Sequence, residues 1–261
     1  MPRERVLQSF ILKKQDYGET DQIITLFSKD EGKIRGIVKA AKLPTSKLQP
    51  VLQPLFESMV TIARSTAVTG LSKIIRAQPV FAYSGILEGS DKLSAWYMAA
   101  ELLLRSLPDN APNDLLYSEI QKYALFLHET KLEPEQVKLS IAQFQIKALE
   151  ALGLGISKVK VPAQTPVSVQ PPISAQPQQY WFSLDAGGFS SEEKSSDAIS
   201  VTKSTYEMFI SLKSGPYEEV LKLSSEVSAT NTQAINNFQN LVNRFVSYQL
   251  EREIKSQRYL V

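Results

Sequence analysis

Apolar and polar positions follow a strand-like pattern in the first part of the chain and recur at helical spacing in the rest. The alternation is clearest in residues 33–40 (KIRGIVKA). There Ile34, Gly36, Val38 and Ala40 fall on one face and Lys33, Arg35, Ile37 and Lys39 on the other, because successive side chains point to opposite sides of a strand. One face of that strand is core and the other is basic. Residues 6–14 (VLQSFILKK) and 22–29 (QIITLFSK) read as strands on either side of the polar turn 15–21. Residues 56–64 (FESMVTIAR) and 71–77 (LSKIIRA) supply a fourth and a fifth strand after a proline-containing loop. Five short strands in this span suit a small closed barrel of the oligonucleotide/oligosaccharide-binding (OB) type better than an open sheet.

Beyond Pro79 the period becomes helical. Leu93, Trp96, Tyr97, Ala100, Leu104 and Leu107 form one stripe at spacings of three and four; Leu116, Ile120, Tyr123 and Leu127 form a second, and Val137, Ile141, Phe144, Ala148 and Leu152 a third. Pro108, Pro112 and Pro134 separate them, so three packed helices are expected between residues 83 and 153, with each stripe in the core. Residues 157–179 are rich in proline and glutamine, a composition that favours an extended loop. Residues 180–190 read as a hairpin turning at Asp185–Gly188. Ile235, Phe238, Leu241, Val242 and Phe245 mark a last helix within residues 231–259. The fold class is therefore α+β: an OB barrel over residues 1–78, then a mostly helical domain over residues 79–261.

Charge sharpens the picture. Residues 1–76 hold thirteen Lys and Arg against seven Asp and Glu, a surplus of six that the whole-chain net charge of +2 conceals. A basic barrel of this kind attracts polyanions through phosphate neutralisation and counterion release. The candidate DNA-binding residues are Lys13 and Lys14 at the end of the first strand, Lys33, Arg35 and Lys39 on one face of the third, and Lys42 and Lys47 in the loop that follows. Tyr17 is the best-placed stacking residue, Phe27 a second, and Phe10 reads as core. Arg64 and Arg76 extend the patch only if their strands face the same way.

Composition argues against most enzyme chemistry. The chain has no cysteine and one histidine, His128, which excludes disulfides, thiolate metal sites and most catalytic triads. His128 falls near a helix end, where capping or packing is its expected role. No GxxxxGK[ST] loop is present, and the Asp185–Gly188 turn does not open a phosphate-binding helix. The acidic pairs Glu19/Asp21 and Asp30/Glu31 read as turn residues; a magnesium-dependent nuclease built on the first pair is the enzymatic alternative. No stretch of the sequence has the length and apolarity of a membrane span or signal peptide, so a cytoplasmic, nucleoid-associated protein is expected.

The order of short motifs resembles one family. Asp16-Tyr17-Gly18-Glu19-Thr20-Asp21, then residues 22–28 and Gly32-Lys33-Ile34, is similar to the opening of the RecO recombination-mediator family, with its DYGE(S/T)D turn and G-K-I strand. Lys39-Ala40-Ala41-Lys42 with Ser46-Lys47-Leu48 resembles that family's basic K-G-A-R…K-S-R-L loop. Glu101-Leu102, Phe182-Ser183 with Gly187-Gly188, and the ending at residues 255–260 match further landmarks. The resemblance implies a non-catalytic mediator that binds single- and double-stranded DNA and anneals complementary strands. It further implies loading of recombinase with a RecR-like partner onto strands coated by single-strand-binding protein. Many members carry a four-cysteine zinc site flanking the F-S…G-G hairpin; this chain has none of those cysteines, and no zinc or other cofactor is expected. Ala40 stands where the family has glycine, which matters if φ there is positive. The rival reading is a protein-interaction scaffold whose barrel binds DNA weakly or not at all.

Overall fold

The computed structural model describes residues 4–63, 71–156, 180–190, 198–225 and 232–251. Arg64, the stretch 157–179 and the ending 255–260 lie outside the described residues. Two compact units are present, the first reaching Lys131 and the second beginning at Leu132.

In the first unit the strands are β1 (Glu4–Tyr17), β2 (Asp21–Ser28), β3 (Gly32–Val38), β4 (Phe56–Ala63) and β5 (Ser72–Ala82). They close into a barrel in the order β1-β2-β3-β5-β4, the five-strand arrangement of an OB fold. Every pairing is antiparallel except a short parallel seam, where Gly36 faces Ser72 and Ile37 faces Lys73. Leu7, Ile11, Ile24, Leu26, Ile34, Val38, Val60, Ile62 and Ile74 fill the interior, as alternation along the strands requires. A bulge between Ile11 and Lys13 inserts one extra residue, Leu12, into β1. Strict alternation would put Lys13 on the inner side with Ile11; the bulge turns it out, opposite Thr25.

The expected fifth strand ends at Ala77, whereas β5 continues through Pro79 to Ala82. A register shift between Glu57 and Ser58, where Pro79 sits opposite, accommodates a residue that cannot donate to the ladder. At Gly32, φ is 71°, and a Cβ there would collide with the backbone of Ala111, so the β2–β3 turn needs glycine to pass beneath that segment.

A short 3-10 turn (Ser84–Glu88), α1 (Ser90–Ser106) and α2 (Asp114–Glu129) then cover part of the barrel's outer surface. Phe10 and Phe27 point outward from the barrel into this cover and are fully buried. Phe10 contacts Tyr83, Trp96 and Tyr117 at ring-centroid distances of 5.8, 5.9 and 5.5 Å, and Phe27 contacts Tyr117 at 5.3 Å. Phe10 is thus core, as expected, but Phe27 is not a stacking residue, because Tyr117 occupies the space a base would need. Asn113 caps α2 by accepting from the Leu116 N–H at 2.9 Å. His128 Nδ1 accepts from the Gly85 N–H at 2.8 Å and its ring meets Phe81 edge-on, a packing role. In the α1 stripe Trp96 and Ala100 are buried, but Tyr97 is 47% exposed, since the buried arc is narrower than the apolar one.

The second unit contains α3 (Pro134–Ala151), the hairpin β6 (Tyr180–Ser183) and β7 (Gly188–Ser190), β8 (Ala198–Val201), α4 (Lys203–Ser214), α5 (Glu219–Ser225) and α6 (Thr232–Gln249). β8 adds to the far side of β6, giving the sheet order β7-β6-β8. Phe182, Phe189, Phe209 and Phe245 cluster between the sheet, α4 and α6. The buried Gln143 amide on α3 donates to the carbonyl of Leu212 at 2.9 Å and to that of Gly215 at 3.0 Å, satisfying the end of α4. The helices α1, α2, α3 and α6 and the hairpin are as expected. The strand β8 and the helices α4 and α5 were not anticipated.

Candidate nucleic-acid interface

Residues paired directly across antiparallel strands share a face, so the register sorts the basic side chains into rows. Phe10 lies opposite Phe27, and Phe27 opposite Lys33; this outward row is the one covered by the helices. The next outward row joins Lys13, Thr25 and Arg35, and the one beyond it Gln15, Ile23 and Ile37. Lys73 extends that row across the parallel seam. Tyr17 and Asp21 come last, with Lys39 following β3 beside them. Ile23 and Ile37 are half-buried, Lys13, Arg35, Lys39 and Lys73 are exposed, and Tyr17 is 44% exposed. The outer face of β1–β3 therefore offers cations around an apolar strip with one aromatic ring at its end.

The other expected residues stand elsewhere. Lys33 is outward-facing but engaged: its ammonium donates to the Leu104 carbonyl at 3.1 Å and pairs with Asp109 at 3.3 Å, so it fastens the end of α1 to β3. Asp109 also reaches Arg35 at 3.9 Å, a long and exposed contact. Lys14 alternates to the side opposite Lys13. Partial burial pulls its ammonium below the ordinary lysine value, against the opposing influence of Asp16. Lys42 joins that side through a 2.9 Å pair with Asp16, which also accepts from Gln22 at 3.0 Å. Lys47 is exposed in the connection between β3 and β4. Arg76 is exposed on β5 opposite Thr61, away from the β1–β3 rows.

The turn acids act as clamps. Asp21 accepts from the Lys39 ammonium at 2.7 Å and from the Ala40 N–H at 2.9 Å. The Lys39 hydrogen bond first, and the Ala40 N–H after it, hold the Asp21 carboxyl below its usual value. Lys42 and then Gln22 do the same for Asp16. Ala40 has φ of 53°, the left-handed conformation in question at this position. Glu31 pairs with Arg5. Among the described residues no cluster of three acidic or histidine side chains is grouped to hold a metal ion.

Sequence reading missed Lys73 on this surface and named Lys13 without the bulge that places it there. Lys73 could have been found from the alternation in its own strand, which sets it opposite the buried Ile74 in phase. The outward turn of Lys13 depends on the bulge at Leu12, for which the sequence gives no signal.

Residues 4–83 match the family profile described as recombination protein O N terminal, and residues 88–258 the profile described as recombination protein O C terminal. The DNA repair protein RecO of Geobacter metallireducens is 32% identical over 150 residues, covering 58% of this chain and 59% of the relative. That of Bacillus subtilis is 28% identical over 147 residues, covering 56% and 55%. That of Actinobacillus pleuropneumoniae is 27% identical over 170 residues, covering 65% and 67%. The chain thus spans a little over half the length of the first two of these relatives.

Proposed function

Because this chain belongs to the recombination protein O family, we propose that it works in DNA repair as a non-catalytic mediator that binds single- and double-stranded DNA. The observation that carries this reading is the outer face of β1–β3, where exposed Lys13, Arg35, Lys39 and Lys73 border half-buried Ile23 and Ile37 beside Tyr17. Cations spaced along adjacent strands neutralise successive phosphates, while the apolar strip and the phenol ring receive bases. Single strands cross this face in OB folds. Within this reading the barrel, expected over residues 1–78, is the DNA-binding domain, and a RecR-like partner and single-strand-binding protein are proposed from family membership.

Annealing follows from the same surface. Lowering the repulsion between two phosphate backbones lets base pairing drive the reaction without nucleotide hydrolysis. Delivery of recombinase is the finer part of the proposal and rests on family membership.

A second reading, a scaffold with little DNA affinity, draws on the pairing of Lys33, Lys39 and Lys42 with acids of the chain itself. The discriminating experiment is fluorescence anisotropy of a labelled single-stranded oligonucleotide across a salt series, comparing the intact protein with the Lys13→Glu/Arg35→Glu variant. Binding that tightens as salt falls and is lost in the variant supports the mediator; no binding by the intact protein at low salt supports the scaffold.

A further inference from the structure

Away from the β1–β3 face, the first unit buries a carboxylate that pairs with no cation among the described residues. Glu57, on β4, is 3% exposed. Its Oε1 accepts from Gln8 Nε2 at 2.7 Å, the Tyr117 hydroxyl at 2.8 Å and Gln121 Nε2 at 2.8 Å; its Oε2 accepts only from the Tyr83 hydroxyl, at 3.1 Å. All four donors are neutral. Burial, with the charge of Glu57 beside them, raises both phenols far above their usual value, so Tyr83 and Tyr117 remain donors. The arrangement satisfies the carboxylate's hydrogen bonding with no cation among the described residues against it, and Oε2 is the less occupied oxygen.

That carboxylate lies at the side of a cleft of about 340 Å³ lined by Glu57, Phe81, Tyr83, Ser118, Gln121, Lys122 and Leu125. Phe81 is opposite Glu57 in the β4–β5 register and so shares its face. Ser118, Gln121, Lys122 and Leu125 follow the three- and four-residue spacing of one α2 face. The walls are mostly apolar, and Phe81 and Leu125 are 40% and 42% exposed, large apolar groups held at a rim. Lys122, the one cation in the lining among the described residues, is turned to Glu119 at 3.6 Å.

We propose that this cleft is a docking site for a partner-protein segment that inserts an arginine side chain flanked by apolar residues. The charge complementarity is specific: an apolar cleft with a buried anion gives a cation more than water-exposed acids do, because the local dielectric is low. A guanidinium is planar, stacks on an exposed aromatic ring such as Phe81, and donates to the less occupied carboxylate oxygen while its stem covers Leu125. Flanking apolar residues cover the exposed rim, which a free small cation would leave wet.

The absence of cysteine from the chain gives a clean test. The full chain carrying Lys122→Cys is labelled with an environment-sensitive dye and titrated with the peptide acetyl-Leu-Arg-Leu-amide, with the same peptide bearing citrulline for arginine, and with spermidine. Expected is a saturable signal with the arginine peptide at least tenfold tighter than with the citrulline peptide, abolished by adding Leu125→Lys, a surface change that leaves the fold intact. Glu57→Gln, where it folds, should bring the two peptides to equal affinity. No saturable signal, equal binding of both peptides in the intact site, or tighter binding of spermidine than of the arginine peptide would overturn the proposal.

Discussion

Asp21 accepts the backbone N–H of Ala40 at 2.9 Å, and Ala40 holds φ of 53° in doing so. The loop after β3 therefore keeps a left-handed residue without glycine, fixed from the neighbouring hairpin.

Replacing Ala40 with glycine should stabilise the protein. The left-handed conformation costs an L-residue about 1–2 kcal/mol, and the extra freedom of glycine in the unfolded chain takes back about 0.4–1 kcal/mol, leaving a gain between about 0 and 1.6 kcal/mol. Urea denaturation should show a higher midpoint with an unchanged slope.

Lys33 and Arg35 should separate in function although they are two residues apart on one face. Lys33→Gln removes a charged hydrogen bond to the Leu104 carbonyl and should cost about 1.5–3 kcal/mol of stability with little change in the salt dependence of DNA binding. Lys13→Gln and Arg35→Gln should leave the unfolding midpoint nearly unchanged and each flatten the slope of log affinity against log salt by about 0.7 on single strands. The paired measurements are thermal melts and anisotropy titrations.

Aromatic truncations should divide the same way. Phe27→Ala empties a buried site against Tyr117 and should destabilise by about 3–5 kcal/mol, with DNA affinity of the folded protein preserved. Tyr17→Ala should leave stability almost unaltered and weaken single-strand binding by about 1 kcal/mol or more, the scale of one lost stacking contact. Anisotropy measured well below each variant's melting temperature checks both.

Acid should loosen the hairpin clamps. The Asp16 and Asp21 carboxyls are both held below their ordinary value of 3.8 in the folded protein. Their stabilisation is then complete above that value and is lost as pH falls through the lower, folded-state pKa. Urea midpoints of the wild type and of Asp16→Asn/Asp21→Asn should differ at pH 6 and converge as pH drops below about 4, the range in which free carboxyls titrate.

The strands and helices that alternate or repeat cleanly were legible in the sequence because one face of each is buried. Ile34, Gly36 and Val38 point inward and Lys33, Arg35 and Ile37 outward, as their spacing demands. Phe27 was misread because a barrel has an outer face as well as an inner one, and which outer residues are covered depends on where α1 and α2 pack. β8 and α4 eluded reading for a different reason: β8 has only four residues, and both take their place from pairing with Tyr180–Ser183 and from the Phe182 cluster, contacts distant in sequence. The basic set was legible by type and segment, but its division into rows rests on one bulge in β1 and on the acids that engage Lys33, Lys39 and Lys42.

The two-residue seam between β3 and β5 is one of the two joints that close the barrel. β1, β2 and β3 form a meander from neighbouring segments, and β4 and β5 pair next to each other, but the ring closes only when these two pieces meet along β1–β4 and along that seam. Loop-closure entropy makes such distant pairings late and slow compared with local ones. The rows that hold Lys13, Arg35, Ile23 and Ile37 lie on the meander, and Lys73 joins them only across that seam, so the cationic face is complete only in the closed barrel.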